Sequence, residues 1–212
     1  MSVLLADFVG RCRRLLGLDS HKRVFNRYYS RDTWIGGGSG TGSTIENTVA
    51  YRVLLSSFLR DNQVASAVDL GCGDWQFSRH VDWTGVDYLG VDVSSVVLEN
   101  TAKFTRPGVR FLELDASAGD LPSADLLIAK DVLQHWSNAD IAHFLPSLRK
   151  FKYALITNGS DKTARTTNSD IKAGECRPVD LSVAPFGLSG EVVLEYVADE
   201  PKTVFLWRRS DR

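Results

Sequence analysis

The chain has 212 residues, 43% of them hydrophobic and 24% charged, enough to build one domain around its own apolar core without disulfides or a structural metal. Its net charge of −1 lacks the positive excess of a protein that tracks a phosphate backbone, so no nucleic-acid partner is expected. Cys12, Cys72 and Cys176 are odd in number and far apart, which argues against a disulfide framework or a zinc cluster and suits a reducing compartment.

Within the first ten residues the apolar run is interrupted by Asp7. It is too short for a signal core or a membrane span, so no span and a cytoplasmic location are expected. Residues 11–29 are basic and aromatic. They read as a solvated helix face and are the candidate surface for a homodimer. A glycine-rich run at 36–43 follows Trp34 and Ile35, and Ser43 with Glu46 has the spacing of a capping box. The spacing predicts a helix over 44–60, with Ile45, Val49, Val53 and Phe58 as its buried stripe.

From there strands and helices alternate. Strands are expected at 64–70, 88–92, 109–114, 125–129 and 153–156. A brief helix is expected at 75–81 and another through Phe104 capped by Ser94 or Ser95. A third, capped by Ser137, carries Ile141, Phe144, Leu145 and Leu148, and Pro146 should kink it or mark a boundary near its middle. A polar stretch at 157–190 is too long to be a mere connection and reads as an acceptor-binding lid containing Arg165, Asn168, Asp170, Arg177, Asp180 and Phe186. Two strands, 192–197 and 203–207, are too close for a crossover and must form a hairpin. The expected fold is α/β, a doubly wound, mostly parallel seven-stranded sheet with a C-terminal antiparallel hairpin. Residues 1–60 read as a helical extension and glycine-rich cap, and 61–212 as the core with its insertion at 157–190.

The strongest motif is Asp69-Leu-Gly71-Cys-Gly73-Asp74 at the end of the first core strand. The glycines permit a tight turn and close approach of a ligand. Gln76 stands where a dinucleotide fold has its third glycine, so the G-x-G-x-x-G pattern fails. Asp69 would repel a pyrophosphate but suits a cationic ligand. Asp92, nineteen residues after Gly73, ends the second strand where an acidic residue accepts ribose hydroxyls. Asp115 ends the third, where a carboxylate can accept an adenine amino group. Residues 64–136 thus resemble the core of the class I (Rossmann-like) S-adenosylmethionine-dependent methyltransferases. The resemblance implies that Asp69, Gly71 and Gly73 line the methionine side, that Asp92 holds the ribose and that Asp115 holds the adenine, with S-adenosylhomocysteine as product. Asp74, Val93, Ala116 and Lys130 adjoin these positions. Arg52 could pair with the cofactor carboxylate, and Trp34 and Trp75 could exclude water from the sulfonium.

More loosely, Trp34, the run 36–43, Arg52, Asp74-Trp-Gln76 and Arg177-Pro-Val-Asp180 resemble small bacterial sugar O-methyltransferases of the mycobacterial methylmannose and methylglucose polysaccharide type. The resemblance implies a saccharide or other small-molecule acceptor. His135 is the candidate general base and Asp131 its assistant, because a base near neutral pKa is needed to take the acceptor proton. Trp34, Gln134, Asn158, Arg177 and Asp180 are candidate acceptor contacts. Asp131 and Asn158, on adjacent strand ends, are candidate ligands for Mg²⁺. N-methylation of a small amine and a non-catalytic cofactor-binding protein are the alternatives.

Overall fold

The computed structural model describes residues 21–117, 120–161 and 166–210. Seven strands form one sheet in the order β3-β2-β1-β4-β5-β7-β6: β1 (Ser66–Leu70), β2 (Asp87–Asp92), β3 (Val109–Glu113), β4 (Ala124–Lys130), β5 (Phe151–Gly159), β6 (Glu191–Val197) and β7 (Pro201–Arg208). The first five pair in parallel, and β7 runs antiparallel to both β5 and β6. The chain winds from β1 outward to β3, then returns to place β4 on the other side of β1. Strand order reverses between β1 and β4, and the loops leaving those two carboxyl ends diverge to leave a crevice.

The centre of the sheet is buried on both faces, and its sequence shows why. Leu126-Leu-Ile-Ala129 in β4 is an unbroken apolar run, all of it solvent-inaccessible. Alternation sends Leu126 and Ile128 to one core layer and Leu127 and Ala129 to the other. The first layer is covered by α2 (Val49–Asp61), the second by α4 (Asn138–Phe144). Ser137 caps α4 by accepting from Asp140 N, and Pro146 falls in the first turn of a 3₁₀ segment, Leu145–Lys150, where its missing N–H costs nothing. Helix α3 (Ser95–Thr101) lies beside β2 and β3 and packs on α1 (His21–Ser30).

Helix α2 departs from the sequence expectation. It begins at Val49, after a 3₁₀ turn at Thr41–Ser43, and the Ser43–Glu46 box does not cap it. Its buried stripe is Tyr51, Leu55, Phe58 and Leu59, whereas Ile45, Val49 and Val53 are 36%, 53% and 64% exposed. Tyr51, Leu55, Phe58 and Leu59, at i, i+4, i+7 and i+8, form a wider apolar face than the stripe through Val53, and that face is the one turned inward. The brief helix expected at 75–81 is reduced to a 3₁₀ turn at Ser78–His80.

The segment after β5 contains no regular helix or strand up to Glu191 among the described residues, yet it is fastened down. Val179 and Leu181 are buried in the second core layer. Asn168 donates to the carbonyls of Asp180 and Ala184 and accepts from Asp180 N. It is a strap across the sheet edge, not a solvated loop. Arg165, expected in the lid, and residues 11–20 of the basic N-terminal stretch lie outside the described residues.

Candidate functional site

At the carboxyl edge of β1, β2, β3 and β4 lies a cavity of about 520 Å³, within the range of small-molecule and cofactor sites. Its floor is the turn after β1. Gly71 (φ +67°) and Gly73 (φ +55°) adopt left-handed backbone, and a Cβ at Gly71 would collide with the Val132 side chain, one at Gly73 with the Ser39 hydroxyl. The glycine pair lets three loops converge where any larger residue would push them apart.

Three carboxylates meet the cavity from successive strand ends. Asp69 is buried, and its Oδ2 accepts from the hydroxyls of Ser78 (3.1 Å) and Tyr88 (2.6 Å). Both bonds fall on one oxygen, so Oδ1 is left for the cavity that Asp69 lines. Burial raises its pKa to about 6, against the two hydroxyl bonds. Asp92 accepts from Gly73 N (3.1 Å) and Ser94 N (2.9 Å), and burial likewise raises it to about 6. A carboxylate has about four acceptor positions, so these two bonds orient Asp92 without exhausting it. Asp115 accepts from the N–H (3.1 Å) and hydroxyl (2.6 Å) of Ser117. Val93 and Ala116 complete this end of the cavity.

The other end is assembled from distant segments. The glycine-rich segment folds over the β1 turn, where Ser39 donates to Asp74 Oδ1 (2.7 Å) and accepts from Asp74 N (3.0 Å). Lys130 donates to Gly42 O (2.9 Å) and to Asp131 Oδ2 (2.5 Å). Lys202, from β7, has its Nζ 2.9 Å from Asp131 Oδ1 and 2.7 Å from Glu200 Oε1. Thr41 donates to Asp199 Oδ2 at 2.7 Å. Burial opposes ionisation of Asp131, yet Lys130 and Lys202 hold its carboxyl below the usual range. Burial also opposes the Lys202 ammonium, and Asp131 and Glu200 outweigh it, holding that pKa above the usual one. Among the sequence-predicted residues, Lys130 therefore fastens the glycine segment and Asp131 is an ion-paired anchor.

His135 lies half-buried in the cavity wall with Nδ1 3.1 Å from Glu175 O. A carbonyl only accepts, so Nδ1 carries the proton and Nε2 the basic lone pair. Burial holds this histidine below its usual pKa, so the ring is neutral at neutral pH.

Several expected contacts lie elsewhere. Arg52 donates to Ile45 O (3.0 Å) and Thr48 Oγ1 (3.3 Å), tying down the turn before α2 and staying off the cavity. Trp75 is buried among Tyr88, Phe104 and Phe111 and does not line the cavity. Arg177 is buried and donates to the carbonyls of Leu133 (2.7 Å), Trp136 (2.8 Å) and Ser169 (3.1 Å). It is the clamp that binds the strap to the loop after β4, because five fixed donors can satisfy several unpaired carbonyls at once. Asp180 accepts from Ser182 on the strap's outer side. Gln134 lines the cavity, but its Oε1 is committed to Gly159 N (2.7 Å). The proposed metal pair does not form: Asn158 is buried with Oδ1 accepting from Gln134 N (3.2 Å), and both oxygens of Asp131 face ammonium groups. Among the described residues no His, Cys, Asp and Glu group is arranged to hold a metal ion.

Sequence reading missed Asp199 and Glu200 on the β6–β7 turn, Lys202 at the start of β7, Cys176 on the strap, and the inner face of α1. Phe25, Tyr28 and Tyr29 line the cavity, with Trp34 packed on Phe25 (6.2 Å between centroids) and on Tyr28 (5.3 Å). The described part of the basic N-terminal stretch therefore has two faces: its aromatic side walls the cavity, while Lys22, Arg23 and Arg27 stay exposed to solvent as expected. The i, i+3, i+4 spacing of the aromatics was the available signal.

Residues 68–151 match the family model described as a methyltransferase domain. No curated protein matches the chain. Among solved structures, magnesium protoporphyrin IX methyltransferase from Synechocystis, with S-adenosylmethionine bound, superimposes with a TM-score of 0.62 at 12% identity, covering 90% of this chain and 98% of that one. The N-methyltransferase NodS from Bradyrhizobium japonicum, with S-adenosylhomocysteine, gives 0.60 at 13%, covering 78% and 88%. Human N-acetylserotonin methyltransferase gives 0.56 at 18% over 76% of this chain, which spans only 51% of that enzyme. Residues 68–151, which hold the strand ends of the cavity floor, thus match a methyltransferase domain, on a sheet closed by an antiparallel hairpin that has the Rossmann-like fold of these methyltransferase structures.

Proposed function

We propose that this chain transfers the methyl group of S-adenosylmethionine to a hydroxyl oxygen of a sugar or similarly polyhydroxylated small acceptor, with His135 as the base. The observation that carries the reading is the placing of the neutral His135 imidazole, with Nε2 unprotonated, in the same cavity as Asp69, Asp92 and Asp115. The residues fit the cofactor: Asp69 Oδ1 suits its cationic methionine end, Asp92 the ribose hydroxyls and Asp115 the adenine amine. When bound, the cofactor supplies an electrophilic methyl group.

The chain's own groups then have separable tasks. His135 takes the acceptor proton through Nε2 while Glu175 O holds the ring in the required tautomer. Asp131 keeps Lys202 at the cavity and is already ion-paired, so it anchors charge and does not accept the proton. Phe25, Tyr28 and Trp34 offer aromatic faces, and Thr41, Asp199 and Glu200 offer polar edges, a combination that suits a ring carrying hydroxyls. An amine acceptor is the second reading, favoured because three carboxylates (Asp131, Asp199, Glu200) face two ammonium groups here.

Calorimetric titration of S-adenosylmethionine and S-adenosylhomocysteine into wild-type protein and Asp92→Ala tests the cofactor site. A charge-assisted hydrogen bond is worth about 1.5–3 kcal/mol, so the substitution should weaken binding about ten- to a hundredfold. Folded wild-type protein that binds neither compound would refute the proposal. Mass spectrometry of methyl transfer to panels of glycosides and of amines then separates the two acceptor readings.

A further inference from the structure

We infer that His21, on α1 and outside the matched domain, is a positioning residue for the base end of the cofactor site, acting through Ser117 on Asp115. The inference rests on the cofactor reading above. His21 is 6% exposed and lines the cavity at the end where Asp115 and Ala116 stand. Its Nδ1 is 2.9 Å from Ser117 Oγ, and that hydroxyl donates to Asp115 Oδ1 at 2.6 Å. The carboxylate can only accept, so the single Ser117 proton is spent on Asp115, and the hydroxyl can only accept from His21. The polarity of the relay is fixed: His21 Nδ1–H to Ser117 Oγ–H to Asp115. Its other nitrogen has no hydrogen-bond partner and stands 3.8 Å from Asp140 Oδ2, while the ring packs 5.7 Å from that of Trp136. Burying an imidazole with one nitrogen unpaired costs free energy that a purely structural contact would avoid with an apolar residue.

The relay holds one oxygen of Asp115 inside the loop and so determines which way the carboxylate presents its other oxygen. If that oxygen reads the purine amine, the preference for adenine over a base bearing a carbonyl in place of the amine depends on His21. A donor and an acceptor at that position differ strongly, because a carboxylate facing a carbonyl is unpaired.

The test is calorimetric binding of S-adenosylhomocysteine and S-inosylhomocysteine to full-length wild-type, His21→Ala and His21→Asn protein. Wild type should prefer the adenine compound by about tenfold or more. His21→Ala should bring the preference to within about threefold, and His21→Asn, whose amide can donate from near the Nδ1 position, should restore most of it. Merely loosening α1 would weaken both compounds equally and leave the ratio intact, and an unchanged ratio in His21→Ala overturns the inference. If that variant fails to fold, Ser117→Ala removes one oxygen from the same relay and must lower the same ratio. A wild type that binds the adenine compound without preference also overturns it, while leaving the cofactor reading standing. No binding of either compound removes both.

Discussion

The two ends of the cavity were built in different ways. The end bearing Asp69, Asp92 and Asp115 comes from consecutive strand ends within residues 66–115, each carboxylate held by backbone or hydroxyl donors from its own or a neighbouring strand loop. The end bearing His135 and Asp131 is joined by α1, the glycine segment, the strap and the β6–β7 turn, which lie up to about 180 residues apart in sequence. The first end is a property of one local motif repeated along a parallel sheet. The second exists only when distant segments have docked, so its residues could belong to any chemistry until they are seen together.

Substitutions can break that contrast. The largest effect should come from His135→Ala, which removes the only imidazole at the acceptor end: turnover should fall about 10²–10⁴-fold with cofactor affinity unchanged in calorimetry. In wild type, burial lowers the pKa of this base, so the acidic limb of the pH–rate profile should lie below the ordinary histidine value. Normal turnover in the variant would remove His135 from the chemistry and leave the acceptor end without a base.

Arg177→Met comes next. It strands the carbonyl of Trp136 and leaves that of Leu133 with the Trp136 N–H alone, and urea unfolding should show a loss of about 2–4 kcal/mol. A variant of wild-type stability that had lost acceptor binding would return Arg177 to the substrate and contradict its role as a clamp.

Asp69→Asn probes the cost of the cofactor end. Burial raises this carboxyl from 3.8 to about 6. Between those values the folded protein holds more protons than the unfolded chain, so stability falls as pH rises from about 4 to about 6 and the full cost stands at pH 7. At 1.36 kcal/mol per pKa unit it is at most about 3 kcal/mol. The variant should be more stable than wild type at pH 7 by about 1–3 kcal/mol, equal to it at about pH 4, and weaker in cofactor binding. Thermal unfolding across that pH range measures the difference, and a destabilised variant at pH 7 would show that the Ser78 and Tyr88 bonds outweigh the burial cost.

The smallest effect should be that of a chelator. With Asp131 ion-paired on both oxygens and Asn158 committed to Gln134 N, EDTA should leave turnover unchanged. Loss of turnover restored by Mg²⁺ would mean that the ammonium groups move aside for a metal.

Apolar runs, glycine pairs and strand-end acids are short-range features, so the sequence by itself determined the parallel sheet, its hairpin and the carboxylates Asp69, Asp92 and Asp115. A buried strand needs only its own few residues to declare itself. Which face of α2 turned inward, that Arg177 would clamp carbonyls, that Lys202 would neutralise Asp131 and that α1 would wall the cavity were decided by tertiary structure. Those outcomes depend on where a side chain's partners end up in space. A long charged residue looks the same in sequence whether it finds a ligand, a carbonyl or water, and only docking of remote segments decides which of these compensates its burial.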